Sequence, residues 1–160
     1  MLKEIKKDCG FTVIEVIIVI VILGILASFA VPKLANVIGD ARINATKDEM
    51  MKLKSAIVGD ATSVSGGVAT SRGYRGDVGS NPAQLQDLIT KPDTVAAWDR
   101  TANNRLGAGW NGPYISDDGS GNYLFDTWGN PYVLTSNSII SNGPNEQYEG
   151  GGGDDIVLLY

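Results

Sequence analysis

One stretch limits what this chain can become: the apolar run that begins after Gly10 and lasts to residue 31. Within residues 11–31 the exceptions are Thr12, Glu15, Gly24 and Ser28. About 20 apolar residues, rising about 1.5 Å each, are long enough to cross a bilayer as a helix. A secretory signal peptide has a shorter apolar core and a small-residue exit. Here the run passes straight into a second helical pattern, which points to a helix that is kept.

Glu15 is the expensive residue in that run. A carboxylate inside a span costs at least about 2.5 kcal/mol and needs a partner. The run carries no Lys or Arg. Two readings are open. A cut between Gly10 and Phe11 would expose an α-amino group at Phe11, four residues from Glu15 in the same chain, or available to Glu15 of a second copy. Alternatively, Glu15 reaches the headgroups from near the end of the span.

The residues quoted so far carry a resemblance. Gly10-Phe11-Thr12-Val13-Ile14-Glu15, then Val19-Ile20-Val21-Ile22-Leu23-Gly24-Ile25-Leu26-Ala27 and Pro32, resemble the N-terminal signature of type IV pilins and type II secretion pseudopilins. The resemblance covers about the first 35 residues. It implies that a leader, residues 1–10, is removed by a prepilin peptidase at Gly10. It implies N-methylation of Phe11 and assembly into a helical filament, with Glu15 pairing with an N-terminal amine during assembly.

Past Pro32 the apolar positions Leu34, Val37, Ile38, Ala41, Ala45, Met50, Leu53 and Ile57 recur mostly every three or four residues, a helical period. The pattern predicts one helix over 11–60, apolar all round in its first half and amphipathic in its second. Pro32 removes a backbone donor and is expected to bend or loosen it. About 100 to 125 residues then remain for one small domain with one core.

Composition narrows the function classes. The formal charge is −5 over 160 residues. Without residues 1–10, ten cations face sixteen acids, a side-chain balance of −6. That balance, with no basic stripe, does not favour nucleic acid. There is no His, so the commonest general base is missing. Cys9 is the single cysteine and lies before the expected cut, so no intramolecular disulfide is possible. Lys3, Lys6 and Lys7 beside the span favour a cytoplasmic N-terminus. Gly150 to Gly153 precede no Lys-Ser/Thr pair, so they form no phosphate loop. An enzyme is not expected.

Residues 61–80 are small, polar and Gly-rich and read as a loop. They contain Arg75-Gly76-Asp77, an integrin-type triplet taken as chance. Residues 82–89 read as a short helix with Leu85, Leu88 and Ile89 inward. Residues 90–115 read as irregular. Strands of a small antiparallel sheet are expected at 123–125, 132–134, 138–141 and 156–160, with Trp110 and Trp128 as packing residues.

Gly109-Trp110-Asn111-Gly112-Pro113-Tyr114, Asp126-Thr127-Trp128-Gly129-Asn130-Pro131-Tyr132 and Ser141-Asn142-Gly143-Pro144-Asn145, followed by Gly153-Asp154-Asp155-Ile156, are similar to the C-terminal half of type II secretion major pseudopilins. The resemblance implies a calcium (Ca2+) site with side-chain ligands at Asn145, Asp154 and Asp155. Calcium takes six to eight oxygens in flexible geometry, so the chemistry is sound. Asn145 is neutral where the family has an acid, and Asp154 and Asp155 are adjacent rather than spaced, so one of them is expected to face the ion. Asp117-Asp118-Gly119-Ser120-Gly121-Asn122 is a second oxygen-rich loop without EF-hand spacing.

The expected protein is α+β and type IV pilin-like: leader 1–10, helix 11–60 with 11–31 transmembrane, and a globular head over 61–160. The expected function is a filament subunit of a type II secretion system. The alternative is a type IV pilin for adhesion, motility or DNA uptake. Implied partners are copies of itself, minor pseudopilins, an inner-membrane assembly platform and the prepilin peptidase. The implied location is the bacterial inner membrane, with a periplasmic head.

Overall fold

A computed structural model describes residues 11–65, 68–102 and 107–160. The expected leader and the cut at Gly10 lie outside the described residues. The chain divides into two units, Met1–Asp40 and Ala41–Tyr160.

Helix α1 spans Val13–Val58, as the apolar run and its amphipathic continuation require. It continues through Pro32. Its end is set by Gly59, whose N–H bonds the Ser55 carbonyl at 2.8 Å. Gly59 sits at φ 84°, and a Cβ there would lie 2.3 Å from the Ser71 carbonyl. Only glycine gives both that backbone and that approach.

The predicted apolar stripe divides in two. Met50, Leu53, Ala56 and Ile57 are buried in the core, and Thr46 is buried with them. Leu34, Val37 and Ile38 are exposed. So the stripe enters the core at Met50, Leu53 and Ile57.

The core joins those α1 side chains to Tyr74, Leu85, Leu88, Tyr132 and Ile139. A three-stranded antiparallel sheet, order β3-β4-β5, supplies part of it: β3 Val133–Leu134, β4 Ser138–Ser141 and β5 Ile156–Leu159. Leu134 pairs with Ile139 and Ser141 with Ile156. β4 is central and buried throughout. On β5, Ile156 and Leu158 pack toward the core while Val157 and Leu159 are exposed, the alternation expected of a half-covered strand.

Three local expectations need correction. Residues 61–80 are not a loop. They form an antiparallel hairpin, β1 Asp60–Ser65 with β2 Val68–Ser71, then helix α2, Gly73–Val78. The strands are rich in Thr, Ser and Val, and two glycines lie between them in sequence, a hairpin signal. The expected helix over 82–89 shrinks to a 3-10 turn, Leu85–Leu88. Asp87 fixes its start by accepting from the Ala83 and Gln84 N–H groups at 2.9 and 3.2 Å, a cap on the N-terminal end. Leu85 and Leu88 are buried as expected, and Ile89 only partly so. Residues 123–125 are not a strand: Asn122–Leu124 is a 3-10 turn, and Phe125 makes one bridge to Pro131.

Trp110 packs against the core, donates to the Asp87 carbonyl at 2.8 Å and meets Tyr114 edge-on, centroids 5.9 Å apart. Trp128 is half-buried in the turn after Asp126.

Candidate functional site

At the helix start, Thr12 precedes α1 and Glu15 lies in its first turn. The Thr12 N–H donates to Glu15 Oε2 at 2.9 Å, and the Thr12 hydroxyl donates to the same oxygen at 2.8 Å. The Glu15 N–H approaches Thr12 Oγ1 at 3.3 Å. This is a reciprocal capping box. It satisfies free helix N–H groups and gives the costly carboxylate two donors within its own chain. Thr12 is therefore the residue that sequence reasoning missed here. The signal was present, since Thr-x-x-Glu before an apolar run is the capping-box pattern. Phe11 is exposed, as are the apolar residues that follow it. Val13–Ala30 is long and apolar enough to cross a membrane.

The second site is the loop between β4 and β5. Its geometry begins at Asp126, 5% exposed. Asp126 Oδ1 accepts from the Trp128 and Asn130 N–H groups at 3.0 and 2.9 Å, and its Oδ2 accepts from the Ser141 hydroxyl at 2.6 Å. Ser141 Oγ in turn accepts from the Gly143 N–H at 3.2 Å. Thr127 ties the same turn to α1 through Thr46 Oγ1 at 2.8 Å and the Arg42 carbonyl at 3.2 Å. The Asp-Thr-Trp-Gly-Asn-Pro block thus fixes where β4 ends and the loop begins.

Within the loop, Asp154 Oδ2 accepts from the Asn145 N–H at 2.9 Å. Asn145 Oδ1 accepts from the Gln147 N–H at 2.7 Å. Asp155 Oδ2 points elsewhere, accepting from Glu149 and Gly151 N–H at 2.9 and 2.8 Å. Glu149, which sequence reasoning did not include, takes the Asp154 N–H at 3.1 Å. Gly143, at φ 68°, has the Asp154 carbonyl 2.2 Å from where a Cβ would sit, so the loop ends close on glycine alone. The structure brings Asn145 and Asp154 together and sets Asp155 against residues 149–151.

Asp154 Oδ1 and Asp155 Oδ1 are buried without a hydrogen-bond partner. An orphaned carboxylate oxygen is costly and suits a hard cation. Among the described residues no three acidic, His or Cys side chains converge as a metal group. Calcium would therefore rest on at most two carboxylates with amide and carbonyl oxygens. The 117–122 loop satisfies itself: Asp118 Oδ1 accepts from Ser120 N–H at 2.9 Å and Asp117 Oδ1 from Gly121 N–H at 3.3 Å. Hydrogen bonding from the Ser120 side chain and then its backbone N–H holds the Asp118 carboxyl below the usual range.

The Arg75-Gly76-Asp77 triplet lies in α2. Asp77 is 6% exposed, lies 3.6 Å from Arg72 and accepts from the Tyr114 hydroxyl at 3.3 Å. It is a structural anchor and is not offered to a partner. Burial pushes its carboxyl up despite Arg72, and burial pushes the Tyr114 hydroxyl up to about 12.

Residues 5–31 match the family described as the prokaryotic N-terminal methylation motif. The chain is 34% identical to type II secretion system core protein G of Aeromonas hydrophila over 134 residues, 82% of this chain and 75% of that one. It is 61% identical to core protein G of Vibrio cholerae over 33 residues, 21% of this chain and 23% of that one. It is 35% identical to type IV major fimbrial protein FimA of Dichelobacter nodosus over 80 residues, 50% of this chain and 48% of that one. The chain thus spans about a quarter and about half of the lengths of the latter two relatives. No solved structure matches it significantly.

Proposed function

The chain belongs to the type IV pilin-like family that includes type II secretion core protein G, and from that membership we propose that it is the major subunit of a secretion pseudopilus. The observation that carries this reading is the 134-residue similarity to core protein G, which runs through the head as well as the helix. The similarity to a fimbrial protein is shorter, 80 residues against 134.

In this reading, a prepilin peptidase cuts after Gly10 and Phe11 is methylated. The helix start then waits in the inner membrane with Glu15 capped by its own Thr12. On assembly, the carboxylate exchanges those donors for the Phe11 amine of another copy. The apolar run is buried among copies in the filament core, which removes its surface from lipid. The head stands on the periplasmic side. Minor pseudopilins and a membrane assembly platform are the partners this requires. Calcium, held by Asp154 with Asn145 and loop carbonyls, would neutralise the orphaned Asp154 oxygen and rigidify the loop; Asp155 instead braces residues 149–151. The role is mechanical and involves no covalent chemistry by the head.

The test is a strain lacking this gene, with its culture medium assayed for secreted enzymes and its surface viewed by electron microscopy. Loss of secreted enzymes with surface fibres intact is expected. Loss of fibres with secretion intact would overturn the reading in favour of a type IV pilin.

A further inference from the structure

Charge is divided unevenly along the folded part of the chain. From residue 106 to the end there are seven acids and no Lys or Arg. On α1, Lys47 and Lys54 have no acid three or four residues away in either direction, whereas Lys52 has Asp48 and Glu49. The ion pair found among the described residues joins Arg72 to Asp77, so neither lysine is matched among the described residues. Between them lies Met51, i+4 from Lys47 and i−3 from Lys54, and it is 49% exposed. The result is a ridge of two cations flanking an uncovered thioether.

The β4–β5 loop offers the complement. Tyr148 is 54% exposed and sits between Glu146 and Glu149, both exposed. The backbone on either side is pinned: Gln147 N–H by Asn145 Oδ1, and Glu149 N–H by Asp155 Oδ2. Glu146 is held at φ 62°, the one non-glycine described with positive φ. An apolar ring is thus held out by an ordered loop, which lowers the ordering cost of binding.

We propose that the Glu146, Tyr148 and Glu149 surface of one copy docks on the Lys47, Met51 and Lys54 ridge of a second copy. The carboxylates meet the lysines, and the ring covers the methionine, a favoured sulfur–aromatic contact. Both surfaces belong to the folded head, and among the described residues no hydrogen bond or ion pair joins them, which leaves each free to meet a second copy. This inference rests on the filament reading and assigns it a head-to-head contact.

The test uses the full chain in a Cys9→Ser background, co-expressing Met51→Cys subunits with Tyr148→Cys subunits and oxidising the sheared filaments. A disulfide-linked dimer in mixed filaments, absent from filaments of either variant alone, is expected. Mixed filaments that form at normal yield without the dimer would overturn the contact and leave the filament reading intact. Absence of filaments from the unsubstituted chain would instead overturn the filament reading. If the cysteine pair lowers filament yield, Lys47→Cys with Glu146→Cys asks the same question at the adjoining contact, with the same two outcomes.

Discussion

Leu26 and Leu53 lie on the same helix and have the same side chain, yet one is 59% exposed and the other 1%. Leu53 is buried by its own chain, against Tyr74, the 3-10 turn and the sheet. Leu26 has no such cover among the described residues, and in the proposed reading lipid or other copies supply it. One continuous helix is thus covered by its own chain in one part and left bare in the other. Helical periodicity sets where side chains project, but it does not say what covers them.

Substitution at Glu15 should separate the two regions most sharply. Glu15 makes its hydrogen bonds with Thr12, far in sequence from the core. Glu15→Ala is expected to abolish filaments while leaving the thermal unfolding of the full chain in detergent unchanged. Normal filament yield, read in sheared fractions, would break the proposed pairing of Glu15 with the Phe11 amine of another copy.

The reciprocal experiment is Leu53→Ala. Truncating a fully buried leucine costs about 2 to 5 kcal/mol. The melting temperature of the full chain in detergent should fall steeply, and Leu26→Ala should leave it in place. Equal shifts in the two variants would mean that the covered and uncovered parts of α1 unfold as one unit.

Long-range patterning was legible in the sequence; short-range turn chemistry was less so. The helix was clear because its apolar run exceeds any alternative use. β4 was clear because Ser138–Ser141 is bounded by turn residues. The hairpin was missed because Thr and Ser at Asp60–Ser65 look like loop residues by polarity, although their β-branched neighbours favour strands. Residues 123–125 looked like a strand by composition, but Gly121 and Asn122 start a 3-10 turn there. At the sites, Glu15 and the Asp154 loop were visible as chemistry. Of their partners, Thr12 was readable from the Thr-x-x-Glu spacing, whereas Glu149 was not, because its bond from the Asp154 N–H depends on backbone placement.

The loop offers a finer test of the same division. If calcium occupies it, the ion selectively stabilises the folded head, by about 2.7 kcal/mol at a hundredfold excess over Kd. Chelation should lower the melting temperature of the full chain in detergent, and Asp154→Ala should remove that response. An unchanged melt on chelation would leave the orphaned Asp154 Oδ1 without its proposed partner. Nothing in the N-terminal unit should respond.

The smallest expected effect lies at Tyr114, within the covered half. Its hydroxyl accepts from the Asn111 N–H at 2.9 Å and donates to Asp77 at 3.3 Å. Tyr114→Phe removes both bonds at a cost of about 1 kcal/mol at neutral pH. Burial holds the folded hydroxyl up at about 12, against 10 for a free tyrosine. The unfolded chain therefore loses this proton first, and the associated stability, intact below pH 10, declines as pH rises toward 12. Burial raises Tyr74, Tyr123, Tyr132 and Tyr160 as well, so the phenylalanine variant should keep a shallower alkaline decline. Parallel decline in the two proteins, followed by unfolding at stepped pH, would mean that the Tyr114 hydroxyl is freely solvated and that the covered region is looser around α2 than its packing implies.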